Sequence, residues 1–239
     1  MNKLSYDFHI HSCLSPCGDD DMTPANIAGM AYLNGLDVIA LTDHNTCRNC
    51  APLINAAAEY GITVIPGMEL TTSEEIHVLC LFSSLDDALG FDEFVYSNLP
   101  DIKNNENIFG KQSIIDFDDQ VCGCIDRLLI NATLISFDSL PEIITGFNGI
   151  MIPAHITKSS DSLLSVFGAI PPSSTFMCAE INKCEDITSV IEKNPYLKSC
   201  RIITDSDAHY LTDIHEKINF IHCDEKKPEN ILAYLKNNL

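Results

Sequence analysis

The chain has 239 residues, 46% of them hydrophobic, and its 34 acidic side chains against 14 basic ones give a formal net charge of −20. This acidic balance repels a long polyanion, so we expect no bulk nucleic acid as a partner, while phosphate chemistry stays open where bound metals supply about +6 of local charge. The sequence has no apolar run near 18 residues and no apolar signal-peptide core, which predicts no membrane partner and a cytoplasmic location.

Strand-like and helix-like segments alternate along the first hundred residues. Thr23 and Pro24 predict a helix start, because an N-cap threonine is followed by a proline in the first turn. The continuous apolar run LDVIALT at 36–42 is typical of a parallel strand covered on both faces. The predicted strands are 4–10, 36–42, 62–66 and 76–82, and the predicted helices are 24–34, 50–60 and 86–97.

Residues 100–145 break this alternation and are interpreted as an inserted subdomain or lid, which would lie over the mouth of the barrel that the remaining elements predict. They contain a possible hairpin, QSIIDFDDQVCGC, and a predicted helix near 126–134. The alternation then returns, with strands at 149–153, 176–181, 201–204 and 217–221 and helices at 139–146, 187–194 and from Pro228 to the C-terminus. This order predicts one α/β domain over residues 1–239, built as a distorted barrel of about seven strands.

Side chains of the kind that bind metals recur at the C-terminal ends of these strands. Alternate residues of a strand point the same way, so HxH and DxH each aim two ligands at one point. Neutral imidazole and carboxylate are the usual ligands of zinc, manganese and iron. The candidates are His9, His11, Asp43, His44, Glu69, His77, His155, Asp207 and His209. Their clustering predicts a multinuclear metal site.

The eleven cysteines are an odd number without an export signal, which argues against a disulfide framework. Cys13 and Cys17 lie in the loop after HIH, and Cys47 and Cys50 form a CxxC after TDHN. Both loops should lie at the same face of the barrel. Two interpretations stay open: a four-thiolate metal or redox site, or reduced thiols packed in the loops.

The motifs HxH, TDH, GxE, an isolated histidine and SDAH together resemble the PHP (polymerase and histidinol phosphatase) family over nearly the whole chain. Within it, the chain is most similar to the stand-alone metal-dependent phosphoesterases. The resemblance implies a distorted (β/α)7 TIM-like barrel with two or three divalent ions at the C-terminal face of the strands. It also implies hydrolysis of phosphate esters.

The resemblance also implies a ligand set for each ion. The first ion would be held by His9, His11, Glu69 and Asp207, the second by Glu69, His77 and His155, and the third by His44, His209 and an acid of the HIH loop. Asp19 fits the spacing to Thr23 and Pro24 best, Asp20 is next, and Asp21 is a third candidate. Asp43 would orient a ligand from behind.

The chemistry predicted for such a site is attack on phosphorus by a metal-activated hydroxide. Asp207, His209 or a metal-bound water would protonate the leaving oxygen, and Arg48 and Lys158 would bind the phosphate. We expect a small phosphorylated metabolite or nucleotide as substrate. One alternative is an amidohydrolase-type metal hydrolase, although Glu69 stands where a bridging lysine is often found and the late motif is DxH. A non-catalytic metal-binding module is the other alternative.

Overall fold

The strands and helices of the chain alternate much as its sequence predicts. The computed structural model describes residues 1–181 and 187–237. The strands are β1 (Asn2–Asp7), β2 (Val38–Leu41), β3 (Thr63–Thr71), β4 (His77–Leu81), β5 (Ser113–Ile115), β6 (Val121–Cys124), β7 (Ile150–Pro153), β8 (Cys178–Glu180), β9 (Arg201–Ile203) and β10 (Phe220–Cys223). The helices are α1 (Pro24–Leu33), α2 (Cys50–Ala58), α3 (Leu85–Ser97), α4 (Glu106–Phe109), α5 (Leu140–Thr145), α6 (Leu163–Phe167), α7 (Ile187–Lys193) and α8 (Pro228–Lys236). The last two residues of the predicted C-terminal helix, 238 and 239, lie outside the described residues.

A curled six-stranded sheet, in the order β10-β1-β2-β3-β4-β7, forms the centre of the fold. The predicted α/β class is confirmed, but the count of seven βα units is not. β1, β2 and β3 are parallel, whereas β4 runs antiparallel to both β3 and β7. β4 is antiparallel to β3 because the connection between them is short. A tight turn joins the two strands, in which Thr72 N donates to Ile76 O, whereas a parallel pair would need a longer crossover.

β8 and β9 form a separate parallel pair, and backbone hydrogen bonds beyond the regular strands tie it to the large sheet. Ile156 N, after β7, donates to Glu180 O at the end of β8. Ala208 N, after β9, donates to His9 O, and His11 N donates to Ala208 O. These bonds bring the C-terminal ends of β1, β7, β8 and β9 together, and the candidate ligands lie at these ends.

Both faces of the central strands are buried, as the apolar run of β2 predicts. Val38 and Ala40 pack with the residues inside the curl of the sheet, whereas Ile39 and Leu41 pack against the surrounding helices. The helix α1 begins as expected, with the Thr23 side chain accepting a hydrogen bond from Asn26 N. In the described part of the chain, every helix is too short or too polar to cross a lipid bilayer.

The segment 100–145 contains the predicted hairpin, formed by β5 and β6, but the helix predicted near 126–134 is wrong. Side-chain amides occupy the backbone groups that such a helix would use. Gln112 donates to Ile125 O and Arg127 O and accepts from Leu129 N, and Asn45 donates to Leu129 O. The bond from Asn45 fixes this irregular segment against the loop that follows β2.

Candidate metal centre

Glu69 lies at the centre of the site and is surrounded by histidines. Its side chain is 1% exposed, and both carboxylate oxygens contact ring nitrogens. Oε1 lies near His9 Nε2 (3.3 Å), His77 Nδ1 (2.9 Å) and His155 Nε2 (3.1 Å), and Oε2 lies near His11 Nε2 (3.3 Å) and His44 Nδ1 (3.2 Å). A carboxylate with different histidines on its two oxygens has the form of a bridging ligand between two metal positions.

The curled sheet converges these side chains on one point. Most of them follow a strand end: His9 and His11 after β1, His44 after β2, His155 after β7, and Asp207 and His209 after β9. Glu69 lies within β3, and His77 begins β4. His155 and Asp207 hold φ angles of +30° and +54°, in the left-handed region. Such backbone costs about 1–3 kcal/mol per residue and concentrates at functional sites. Both side chains contact the cluster, His155 through Glu69 and Asp207 through His9 and His11.

Three buried ring nitrogens show that the donor set fits metal ions. The Nδ1 atoms of His44 and His77 lie 3.2 and 2.9 Å from Glu69 oxygens without hydrogen-bond geometry, and Nδ1 of His155 has no partner, so none of the three makes a hydrogen bond within residues 1–181 and 187–237. An unsatisfied buried polar atom costs about 1–3 kcal/mol, which a bound cation would offset. Two close groups have ligand atoms within 4.8 Å of one another, His9 with His11 and Glu69, and His44 with Glu69 and His77.

Asp207 and His209 lie at the solvent-facing edge of this set, with side chains 23% and 26% exposed. Asp207 Oδ1 lies 3.3 Å from His9 Nε2 and 3.5 Å from His11 Nε2. His209 Nδ1 donates to the Asp207 backbone oxygen at 2.7 Å, so its Nε2 carries the free lone pair that a metal needs. These two residues, which the sequence predicts to be catalytic, therefore have side chains more exposed than those of the histidines around Glu69.

The acid expected from the HIH loop does not reach the ligand cluster. Asp20 and Asp21 are exposed, and the Asp19 carboxylate accepts from Asp21 N within its own turn. Cys17 occupies the place instead, because its Sγ and the ring nitrogens of His11, His44 and His209 lie within 4.8 Å of one another. Burial, followed by the carboxylates of Glu69, Asp43 and Asp207, raises the pKa of the Cys17 thiol.

Asp43, which the sequence analysis expects to orient a ligand, lies behind the cluster. It accepts from Ser12 N at 2.7 Å and from Ser15 Oγ at 2.7 Å. Ser15 Oγ also lies 3.0 Å from His11 Nδ1 and accepts from His44 N at 3.1 Å. Asp43 thus holds the HIH loop, and through Ser15 it fixes the ring of His11.

Glu180, at the end of β8, is a site residue that the sequence analysis missed. Its Oε2 accepts from His9 Nδ1 and from His155 N, each at 3.0 Å, so one buried oxygen orients two candidate ligands. The available signal was an acid at the end of the predicted strand 176–181. It lacked a histidine two residues away, such as those in the pairs after β1 and β9.

Arg48 and Lys158, the predicted phosphate-binding cations, differ in position. Lys158 Nζ lies 3.3 Å from Asp207 Oδ2, at the edge of the cluster. Arg48 turns away towards α3, where its Nε lies 3.4 Å from Asp92 Oδ2 and its guanidinium 5.5 Å from the centre of the Tyr96 ring. Lys158 therefore lies at the cluster, whereas Arg48 is held against α3.

The four cysteines of the two loops do not form a candidate four-thiolate group. Cys47 and Cys50 are buried in the apolar core beside the sheet, and Cys13 is a buried free thiol. Among the described residues, Cys17 is the only cysteine in a candidate metal group. Cys13, Cys47 and Cys50 therefore match the interpretation of reduced thiols packed in and around the loops.

Neighbouring charges control the protonation of the rings. Burial alone would lower the pKa of His9, but the carboxylates of Glu180, Glu69 and Asp207 hold it well above its ordinary value. Hydrogen bonds to Asp207 and Glu69 similarly outweigh burial and raise the pKa of His11 to about 9. In contrast, burial lowers the pKa of His44 well below its ordinary value. The metal-free cluster therefore holds protons on some rings at neutral pH.

We expect the affinity of the metal-free protein for divalent ions to rise with pH between 6.5 and about 9. His11 is protonated at pH 7 and must lose its proton before Nε2 can bind a metal. Each displaced proton lowers the apparent affinity about tenfold per pH unit below the pKa. Calorimetric titration with Zn²⁺ in two buffers of different protonation enthalpy counts the protons released. An affinity that stays constant over this interval would contradict the assigned charge states.

A family model described as the PHP domain matches residues 7–170, which include every strand-end ligand from His9 to His155. This chain belongs to the PHP domain family. Members of this family bind divalent metals and are generally metal-dependent hydrolases, as the motifs predict.

A 5'-3' exoribonuclease of Haemophilus influenzae is 38% identical to this PHP domain over 79 residues, which are 32% of the chain and 28% of that protein. The lesion-specific endonuclease Q of Pyrococcus furiosus has a similar fold, with a TM-score of 0.69, 17% identity, and coverage of 98% of this chain and 56% of its own. A metal-dependent phosphoesterase from Bifidobacterium adolescentis gives a TM-score of 0.56 at 17% identity, over 86% and 87% of the two chains. The PHP domain thus spans about a quarter of the first relative and about half of the second.

The relatives overturn our expectation of a small phosphorylated substrate and of no nucleic acid as a partner. One is named an exoribonuclease, and endonuclease Q is also known in complex with a 27-mer duplex that carries an abasic lesion. Net charge was a poor guide because it averages over the whole surface. A phosphate at the site responds mainly to the divalent ions and cations that it contacts.

Glu180→Gln is expected to weaken metal binding by about 10–100-fold, the usual effect of losing a carboxylate behind a metal-binding histidine. The amide keeps the volume of the side chain but removes the charge that orients His9 and makes its Nε2 more basic. Competition with a chromophoric chelator measures the loss. Glu192→Gln, on the exposed surface of α7, is the matched control and should bind metal as wild type does. If the two variants bind metal with equal affinity, Glu180 does not support the metal centre.

Proposed function

We propose that this PHP domain is a metal-dependent phosphodiesterase that cleaves nucleic-acid strands. The observation that carries the proposal is the cluster around Glu69, in which five histidines meet one buried carboxylate. Two or three divalent ions, zinc, manganese or iron, would supply Lewis-acid activation of water and of the phosphate. The relatives that act on RNA and DNA support a phosphodiester as the substrate bond.

The exposed edge of the cluster defines how a strand would approach. Asp207, His209 and Lys158 are the ionisable side chains with accessible surface there, whereas Glu69 and the rings of His9 and His11 are buried. The scissile phosphate would therefore lie against Lys158, which contacts a phosphate oxygen in place of Asp207 Oδ2. Asp207 Oδ2, the oxygen that faces Lys158, would move a proton between water and the leaving oxygen, while His209 would bind a metal through Nε2.

More distant cations could hold the strand on either side of this phosphate. Arg48 and Arg127 lie over the same ring, with their guanidinium carbons 5.5 and 4.8 Å from the centre of Tyr96. Arg127 belongs to the segment 100–145, which Asn45 ties to the loop of His44. We propose that this segment forms one wall of the strand-binding surface and that Arg48 contacts a flanking phosphate.

Hydrolysis of end-labelled oligonucleotides tests the proposal. Single-stranded RNA, single-stranded DNA and duplex DNA with an abasic lesion are offered to the protein before and after chelation, with Mn²⁺ or Zn²⁺ restored. Cleavage that chelation abolishes and metal restores supports the proposal, and the substrate cleaved fastest identifies the strand type. Turnover of amides or lactones alone would favour the amidohydrolase alternative. Metal binding without turnover of any substrate would favour a non-catalytic module.

Lys158→Ala is expected to lower kcat/KM for the preferred oligonucleotide by about 10–100-fold, because a charge-assisted hydrogen bond to phosphate contributes about 1.5–3 kcal/mol. The metal content should not change, since an ammonium group binds no metal. Lys198→Ala, in an exposed turn before β9, is the matched control. If both variants cleave at the wild-type rate, Lys158 does not contact the substrate.

A further inference from the structure

The loop between β1 and α1 places a thiol among three histidines. Cys17 Sγ and one ring nitrogen each of His11, His44 and His209 lie within 4.8 Å of one another. The rings are themselves close, with the centre of His11 4.8 Å from that of His44 and 4.5 Å from that of His209. This group of three imidazoles and one thiol has the composition of a four-coordinate zinc site.

The backbone of the loop fixes Cys17 in this position. Ser15 N donates to Ser12 O, Gly18 N donates to Ser15 O, and Asp19 N donates to the backbone oxygen of His209. Gly18 is required for the turn, because a Cβ there would lie 2.1 Å from Ser12 O. The bond from Asp19 ties the loop to the segment that carries His209. Cys17 is therefore held beside the histidines by structure on both of its sides.

Two independent observations on the histidines indicate a cation at this group. His44 is 3% exposed, and its Nδ1 makes no hydrogen bond in the described part of the chain, although it lies 3.2 Å from Glu69 Oε2. His209 uses Nδ1 to donate to Asp207 O, which leaves the Nε2 lone pair available. A buried ring nitrogen that makes no hydrogen bond costs free energy that a bound cation would offset, which favours a metal ion over a neutral packing arrangement.

We propose that Cys17 is a thiolate ligand of the metal ion held by His11, His44 and His209, and that this ligand makes the position select Zn²⁺ over Mn²⁺. Binding forms the metal–sulfur bond and releases the thiol proton to solvent, so charge and atoms balance. Thiolate is a soft ligand that suits zinc, whereas Mn²⁺ prefers carboxylate oxygen. In a tetrahedral site, ligand atoms lie about 3.4–3.6 Å apart, so small side-chain rotations suffice to close the group.

The inference rests on the metal-centre part of the proposed function and not on the substrate. An aspartate of the same loop would give a different site, with a hard oxygen ligand. The partial exposure of Asp19, its bond to Asp21 N and the exposure of Asp20 argue against that arrangement. Cys13, in contrast, is a buried thiol of the same loop that lies outside the group, and it therefore provides a matched control.

Cobalt substitution of the full chain tests the inference without any substrate. Metal-free protein loaded with Co²⁺ is expected to show a sulfur-to-cobalt charge-transfer band in the near ultraviolet, which Cys13→Ser retains and Cys17→Ser loses. Elemental analysis after equilibration with equal Zn²⁺ and Mn²⁺ should show at least a tenfold fall in the preference for zinc in Cys17→Asp. Circular dichroism melting shows whether each variant is folded.

Three outcomes would overturn the inference: cobalt bound without a sulfur band, a band that survives in Cys17→Ser, or an unchanged zinc preference in Cys17→Asp. In each of these cases the histidine centre and the phosphodiesterase proposal would still stand, because metal would be bound through the remaining ligands. Failure of the wild-type chain to bind cobalt at all would overturn both. Cleavage that is lost while the sulfur band persists would affect the substrate proposal alone.

Discussion

Glu69→Gln is expected to release bound metal and to lower phosphodiester cleavage by at least about 10³-fold, because the Lewis-acid contribution of the metals would be lost. The carboxylate of Glu69 contacts five histidines, and its negative charge would offset that of ions held among them. An amide has the same shape but carries no charge, and its NH2 group cannot bind a cation. Metal content and cleavage of the preferred oligonucleotide should therefore fall together.

Glu75→Gln, in the exposed turn between β3 and β4, is the control for this change. It introduces the same substitution six residues away, outside the ring of histidines, and should leave metal content and cleavage at wild-type levels. A Glu69→Gln protein that retains a full complement of metal and cleaves within tenfold of wild type would show that Glu69 is not the bridging ligand.

The parts of the site that the sequence predicts are those that follow from local geometry. Alternation along a strand puts His9 and His11 on one side, and a ligand at the end of each strand faces the same edge of a curled sheet. The structure brings these ligands together around Glu69. Because the two ligands of an HxH or DxH pair are only two residues apart, their convergence does not depend on the conformation of the loops.

The direction of β4 and the position of Cys17 could not be derived in this way. β4 is antiparallel because the turn after Thr71 is too short for a crossover, which a strand pattern alone does not specify. Cys17 reaches the histidines through the turn bonds between Ser12 and Gly18, while the carboxylate of Asp19, two residues later, accepts from Asp21 N. Loop conformation, and not residue type, decides which side chain enters the site.

Gly67→Ala is expected to lower the free energy of unfolding by about 3 kcal/mol, at the upper end of the usual effect of overpacking. Gly67 lies in β3 opposite Leu81 of β4, two residues before Glu69. A Cβ at this position would lie 2.6 Å from Cys80 O and 2.7 Å from Leu81 Cδ2. Since Cys80 O is backbone, the two strands must separate or slide to accommodate the methyl group.

The same shift of the strands should weaken metal binding, because β3 carries Glu69 and β4 carries His77. His77 Nδ1 lies 2.9 Å from Glu69 Oε1. Urea unfolding and metal content measure the two effects. Gly90→Ala in α3 is the control, since its Cβ would lie 3.6 Å from the Phe147 ring and alanine stabilises a helix by about 0.5–1 kcal/mol over glycine. The two glycine variants should therefore change stability in opposite directions. A Gly67→Ala protein as stable as wild type, with its metal intact, would show that the strands can separate without disturbing the site.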